Sequence, residues 1–169
     1  MKKLLIIFLV LFLASCAKKE PPRQPSKIIG GGLGYNEELI VNTLISQFNE
    51  WKSVPYRYGG LNKRGIDCSG LVQTLLLNGF DVSIPRTTIL QSKIGAYVER
   101  DELRPGDLVF FKTRRRTRHV GLYLGKKKFI HSSRSVGVII STLKNLYWSK
   151  RYWQGRRIQL TGKSKVLSY

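Results

Sequence analysis

The chain begins with Lys2 and Lys3, passes through an unbroken apolar run from Leu4 to Ala14, and reaches Ser15 and Cys16. A membrane-spanning helix needs roughly 20 apolar residues, and this run is about half that. A cationic start, a short apolar stretch and a small-residue exit have the layout of an export signal. Residues 1–15 are therefore set aside, and what folds is built from the chain beyond them. That remainder is enough for one domain with a real core and too little for two.

Leu13-Ala14-Ser15-Cys16 resembles the lipobox of bacterial lipoproteins, in which cleavage falls before the cysteine and its sulfur receives a diacylglyceryl group. The resemblance implies a lipid anchor at Cys16; an ordinary secretory signal that happens to end near a cysteine is the alternative. Acyl chains contribute about 0.8 kcal/mol per buried CH₂, so a multiply acylated terminus holds a domain at a membrane without a spanning segment. The residue after the cysteine is Ala17, not the aspartate associated with inner-membrane retention, which points to the periplasmic face of the outer membrane. Cys16 and Cys68 are the only cysteines. With the first acylated, no intramolecular disulfide can form and Cys68 is a lone thiol outside the cytoplasm. Two histidines complete the soft-ligand inventory, so a four-ligand zinc site would have to recruit the anchor cysteine. No metal and no cofactor are expected.

The formal net charge is +20, and loss of Lys2 and Lys3 with the signal removes only two of those charges. In a cytosolic protein this excess suggests nucleic acid. Export excludes that partner and substitutes the carboxylates of wall peptides and the phosphates of envelope surfaces; a merely solvated basic surface is the plainer reading.

Residues 16–35 read as a flexible tether, with Pro21, Pro22 and Pro25 followed by Gly30-Gly31-Gly32 and Gly34. The domain, residues 36–169, opens with Leu39, Ile40, Leu44, Phe48 and Trp51 at helical spacing behind Asn36 as a candidate N-cap. Asp67 to Asn78 predicts a second, more buried helix ended by Gly79. The turn Arg104-Pro105-Gly106-Asp107 introduces Leu108 to Phe111, and further strands are predicted at His119 to Leu124, Phe129 to Ser132, Val136 to Ile140 and Arg157 to Leu160. Helices first and strands afterwards predict an α+β domain with N-terminal helices packed on an antiparallel sheet. No oligomer signal stands out, and a monomer is expected.

Gly65-Ile66-Asp67-Cys68-Ser69-Gly70-Leu71-Val72 puts a cysteine at a helix start. The unpaired N–H groups and the positive end of the helix dipole favour a thiolate there, and the same N–H groups suit an oxyanion. A nucleophilic thiol needs a base and a group that orients it. His119 and His131 are the available histidines. They lie on consecutive predicted strands whose antiparallel pairing would bring the imidazoles together.

In these residues the sequence resembles the NlpC/P60 family of papain-like cysteine peptidases. The blocks occur in order: Tyr56-Arg57-Tyr58-Gly59-Gly60, Gly65 to Gly70, Ile84-Pro85-Arg86-Thr87, Arg104 to Phe111, His119 to Tyr123 and Phe129-Ile130-His131. They cover roughly residues 45–160. The resemblance implies a papain-like fold, Cys68 as nucleophile, His119 as general base and then acid, and His131 as the orienting residue. Tyr56 matches a tyrosine that family members place near the thiol, and Tyr56, Asp67 and Ser69 are the residues expected around substrate and oxyanion. The implied activity is hydrolysis of peptidoglycan stems. Similarity to the small lipoproteins of the family favours D,D crosslinks. Cleavage after γ-D-glutamate, acyl transfer by a related fold, and a wall- or partner-binding lipoprotein are the alternatives.

Lys112, Arg114, Arg115, Arg116 and Arg118 lead into His119, either as contacts for substrate carboxylates or as a solvated loop. Tyr147, Trp148, Tyr152 and Trp153 are expected to pack over the core in preference to lining a groove.

Overall fold

The computed structural model describes residues 36–115 and 117–160, and the backbone at 165–166. The expected signal peptide, the tether and the Cys16 anchor lie outside the described residues. Among the described residues no helix is long and apolar enough to cross a membrane.

Helix α1 (Glu37–Trp51) starts as its sequence requires: the Asn36 side chain accepts from the Leu39 N–H at 2.7 Å. Ile40, Leu44, Phe48 and Trp51 form its buried stripe. A small ribbon, β1 (Leu61–Asn62) with β2 (Gly65–Ile66), precedes helix α2 (Cys68–Phe80). Helix α2 runs past the predicted stop at Gly79. Phe80 is 1% exposed, so its burial favours the added residues, and Asp81 in the left-handed region (φ 54°) closes the helix by donating its N–H to the Leu76 and Leu77 carbonyls.

After β3 (Val82–Ser83) and a single helical turn, α3 (Thr88–Gln91), comes the main sheet. It contains β4 (Ala96–Val98), β5 (Leu108–Arg114), β6 (Thr117–Gly125), β7 (Lys128–Ser133), β8 (Gly137–Thr142) and β9 (Tyr152–Arg157), with the short helix α4 (Leu146–Arg151) between the last two. The order is β4-β9-β5-β6-β7-β8 and every pairing is antiparallel. A final strand, β10 (Lys165–Val166), pairs in parallel with β3.

The last strand of the main sheet lies earlier than predicted. Tyr152 to Arg157 pair with both β4 and β5, whereas Ile158 and Leu160 reach the core from beyond the strand end. The aromatic pair Tyr152-Trp153, read as a separate cluster, is the start of β9.

Strand alternation sorts the core onto two faces. Phe110, Val120, Leu122 and Ile130 pack with α1 and α2. Val109, Phe111, Tyr123 and Phe129 pack with Leu143 and, at the margin, Trp148 and Tyr152.

Candidate active site

Cys68 is the first residue of α2, and the loop before it is tied down by one carboxylate. The Asp67 Oδ1 accepts from the Gly70 N–H at 2.7 Å and from the Ser69 hydroxyl at 3.2 Å; Oδ2 accepts from the Gly59 N–H at 2.9 Å. Arg86 closes the arrangement with a two-pronged ion pair of 2.9 and 2.8 Å, and also donates to the Ser69 hydroxyl at 3.0 Å. Burial alone would raise the Asp67 carboxyl pKa, but the hydrogen bonds from Arg86, Gly70 and Gly59 outweigh it and hold the pKa below its ordinary value. Asp67 and Ser69, expected around substrate and oxyanion, both line a cleft with Cys68. Their side chains are tied to each other and to Arg86, so Asp67 also fixes the loop.

The two imidazoles meet across the β6–β7 pairing. His119 Nε2 lies 3.0 Å from His131 Nδ1, and the other His131 nitrogen, Nε2, lies 2.8 Å from the Ser141 hydroxyl on β8. Both rings are buried, at 7% and 1% exposure. His119 stacks on Trp148 (centroids 5.2 Å apart, 26° between planes) and His131 on Phe129 (4.9 Å, 29°). The hairpin expected from sequence is therefore present. Ser141 was not foreseen and Trp148 was expected over the core; β8 register and the placement of α4 bring them to the histidines.

Cys68, Tyr56, His119, His131 and Trp148 line one cleft of about 520 Å³. A second cleft of about 550 Å³ adjoins it, and Tyr56, Cys68, Thr117, Arg118 and Arg134 line both. The aromatic cluster thus divides: Tyr147 and Trp148 line the first cleft, while Tyr152 and Trp153 pack on the sheet. The basic run is not a plain loop. Lys112 and Arg114 belong to β5 and Arg118 to β6, with a register shift between Lys112 and Arg114. Arg114 and Arg118 line the cleft, and Arg116 lies outside the described residues.

Electrostatically the site is governed by burial. Burial pushes the Cys68 thiol pKa up, opposed by the Thr88 hydroxyl, 3.7 Å from the sulfur, and by the Val120 and Ser69 backbone groups. Burial, with a smaller contribution from the positive charge of Arg134, brings His119 down to about 4. His131 is pushed well below its ordinary value by burial and by His119. Burial thus favours the neutral forms of both the thiol and the imidazole, and works against the thiolate preference expected from the helix N-terminus. Burial raises the Tyr56 hydroxyl pKa, opposed by the nearby Arg134 guanidinium.

A helix-borne thiol sharing a cleft with two hydrogen-bonded imidazoles, on a frame of helices against an antiparallel sheet, defines the cysteine-peptidase class. The chain belongs to the NlpC/P60 family, whose sequence pattern matches residues 53–157. It is 41% identical over 160 residues to the "Probable endopeptidase NlpC" of Escherichia coli (strain K12), across 94% of this chain and 100% of that protein. It is 45% identical over 119 residues to the "Murein DD-endopeptidase MepS/Murein LD-carboxypeptidase" of the same strain, across 70% of this chain and 63% of that protein. The crystal structure of an NlpC/P60 family protein from Bacillus cereus ATCC 10987 superposes with a TM-score of 0.64 at 31% identity, covering 71% of this chain and 40% of that one.

Proposed function

We propose that the protein is a cell-wall cysteine peptidase that hydrolyses amide bonds of peptidoglycan stems, with D,D crosslinks as its substrate bond. The observation that carries this reading is the 3.0 Å contact between His119 and His131 in the cleft that Cys68 also lines. The names of the two Escherichia coli relatives, an endopeptidase and a murein DD-endopeptidase, support the substrate class.

Cys68 is the nucleophile. As its sulfur attacks the carbonyl carbon, the thiol proton passes to His119, so that charge develops only along the reaction path. In this reading the Ser69 backbone N–H at the helix N-terminus receives the oxyanion. His119 then gives its proton to the departing amine, leaving a thioester. Water adds to that thioester with His119 as base, and the carboxylate product and the thiol are released. His131 is a positioning residue that holds His119 by its far nitrogen. Tyr56, at the junction of both clefts, is a substrate-contacting residue. In the same reading Cys16 carries the lipid anchor, residues 16–35 supply reach, and the domain works as a monomer at the periplasmic face of the outer membrane.

The test is mass spectrometry of fragments released from purified crosslinked sacculi by the wild-type protein and by Cys68→Ala. Loss of crosslinked dimers with the wild type alone is expected. Shortened stems would place the cut after γ-D-glutamate. Unchanged sacculi with a folded protein would overturn the hydrolase reading.

A further inference from the structure

The charges around the thiol are one-sided. The first cleft is lined by Arg114, Arg118 and Arg134 and by no aspartate or glutamate. The second contains Asp67, but Arg86 already pairs with it at 2.8 Å, and Arg118 and Arg134 line this cleft as well. Among the described residues the ion pairs are Arg86–Asp67 and Arg157–Asp107. Arg118 and Arg134 therefore line both clefts that Cys68 lines, without a carboxylate partner among the described residues.

Each of the two is held in place by an aromatic ring. Arg118 stands on β6 next to His119 in sequence, with its guanidinium 5.4 Å from the centroid of Trp153. Its Nε and Nη1 are buried and have no hydrogen-bond partner. Unpaired buried donors are costly and call for an explanation. Arg134 follows β7 and its guanidinium lies 5.4 Å from the centroid of Tyr56. Stacked guanidinium groups that retain free donors suit planar carboxylates.

We propose that Arg118 and Arg134 form a carboxylate clamp across Cys68, which selects stem peptides with a free carboxylate beside the scissile amide and rejects those in which it is a carboxamide. The inference rests on the peptidase reading and specifies the substrate within it. A bound carboxylate also screens the positive charge of Arg134, one of the two influences that hold His119 down. The matching substrate therefore strengthens the base that will act on it.

The test is steady-state kinetics on crosslinked muropeptides that differ only in having one carboxylate free or converted to a carboxamide, with each carboxylate changed in turn. For the carboxylate that the clamp holds, the wild type is expected to favour the free acid by tenfold or more in kcat/KM, on the order of one charge-assisted hydrogen bond. In Arg118→Gln and Arg134→Gln the ratio between the two substrates should fall towards one. The ratio is internal to each variant, so partial loss of folded protein does not affect it. If Arg118→Gln fails to fold, Arg118→Lys and the exposed Arg134→Gln carry the test. Equal wild-type rates on every acid and amide pair would overturn the clamp and leave the peptidase intact. Failure to cut either member of any pair would overturn the peptidase reading and the clamp with it.

Discussion

For His119 to accept a proton from a thiol, the nitrogen that takes it must be bare; Nε2 is engaged with His131, so that nitrogen is Nδ1 and the proton of the neutral ring sits on Nε2. That choice propagates. His131 must accept at Nδ1, carry its own proton on Nε2, and donate it to the Ser141 hydroxyl at 2.8 Å. Removing that acceptor frees His131 to hold its proton on Nδ1, which reverses the chain and places a proton on His119 where the base should be. Ser141→Ala is therefore expected to lower kcat about tenfold with KM little changed, on the scale of one buried hydrogen bond. Ser141→Thr, which keeps the hydroxyl, should restore most of the rate; equal losses in both variants would leave Ser141 a packing role only. That Cys68, His119 and His131 come together was legible in the sequence, because the cysteine heads a predicted helix, the histidines lie on consecutive predicted strands and the blocks around them resemble the family; the structure puts all three in one cleft. Ser141 was not, since one serine among many is singled out only by lying opposite Phe129 in the β7–β8 register.

At the scale of elements, the β6–β7 hairpin holds the imidazoles 3.0 Å apart and Gly121 sets how closely its strands approach. A Cβ at Gly121 would lie 2.6 Å from the Ile130 carbonyl oxygen and 2.8 Å from a ring carbon of Phe129. Gly121→Ala is thus expected to cost about 2 kcal/mol through overpacking, read as a lowered urea midpoint. It should also reduce kcat by more than the folded fraction explains, because the strand that carries His119 is displaced. Helices α1 and α2 were legible from capping residues and apolar spacing, as were the strands that bear the histidines. The misreadings share one cause. The helix stop at Gly79, the loop assigned to Lys112, Arg114 and Arg118, and the last strand at Arg157 to Leu160 follow local propensity, whereas burial of Phe80, the β5–β6 pairing and the place of β9 between β4 and β5 decide the structure there.

The molecule as a whole stores uncharged histidine in its interior, and this makes stability depend on pH. His119 binds protons in the folded state only near pH 4, against an ordinary value of 6.5. Between those values the unfolded chain binds more protons, so stability is full above about pH 6.5 and declines as pH falls towards 4. The gap corresponds to about 3 kcal/mol for this one residue; His131, shifted in the same direction, adds to it. Urea unfolding at pH 7.0 and 4.5 should reveal the loss, and His119→Gln should flatten the dependence; an unchanged slope in that variant would assign the acid sensitivity elsewhere. The two clefts that share Tyr56, Cys68 and Arg134 have a different consequence. A thiol at the junction of two recesses, with space for chain on either side, does not require a terminus to thread in. Such a protein can work on a closed mesh, opening it at interior links without waiting for a loose end.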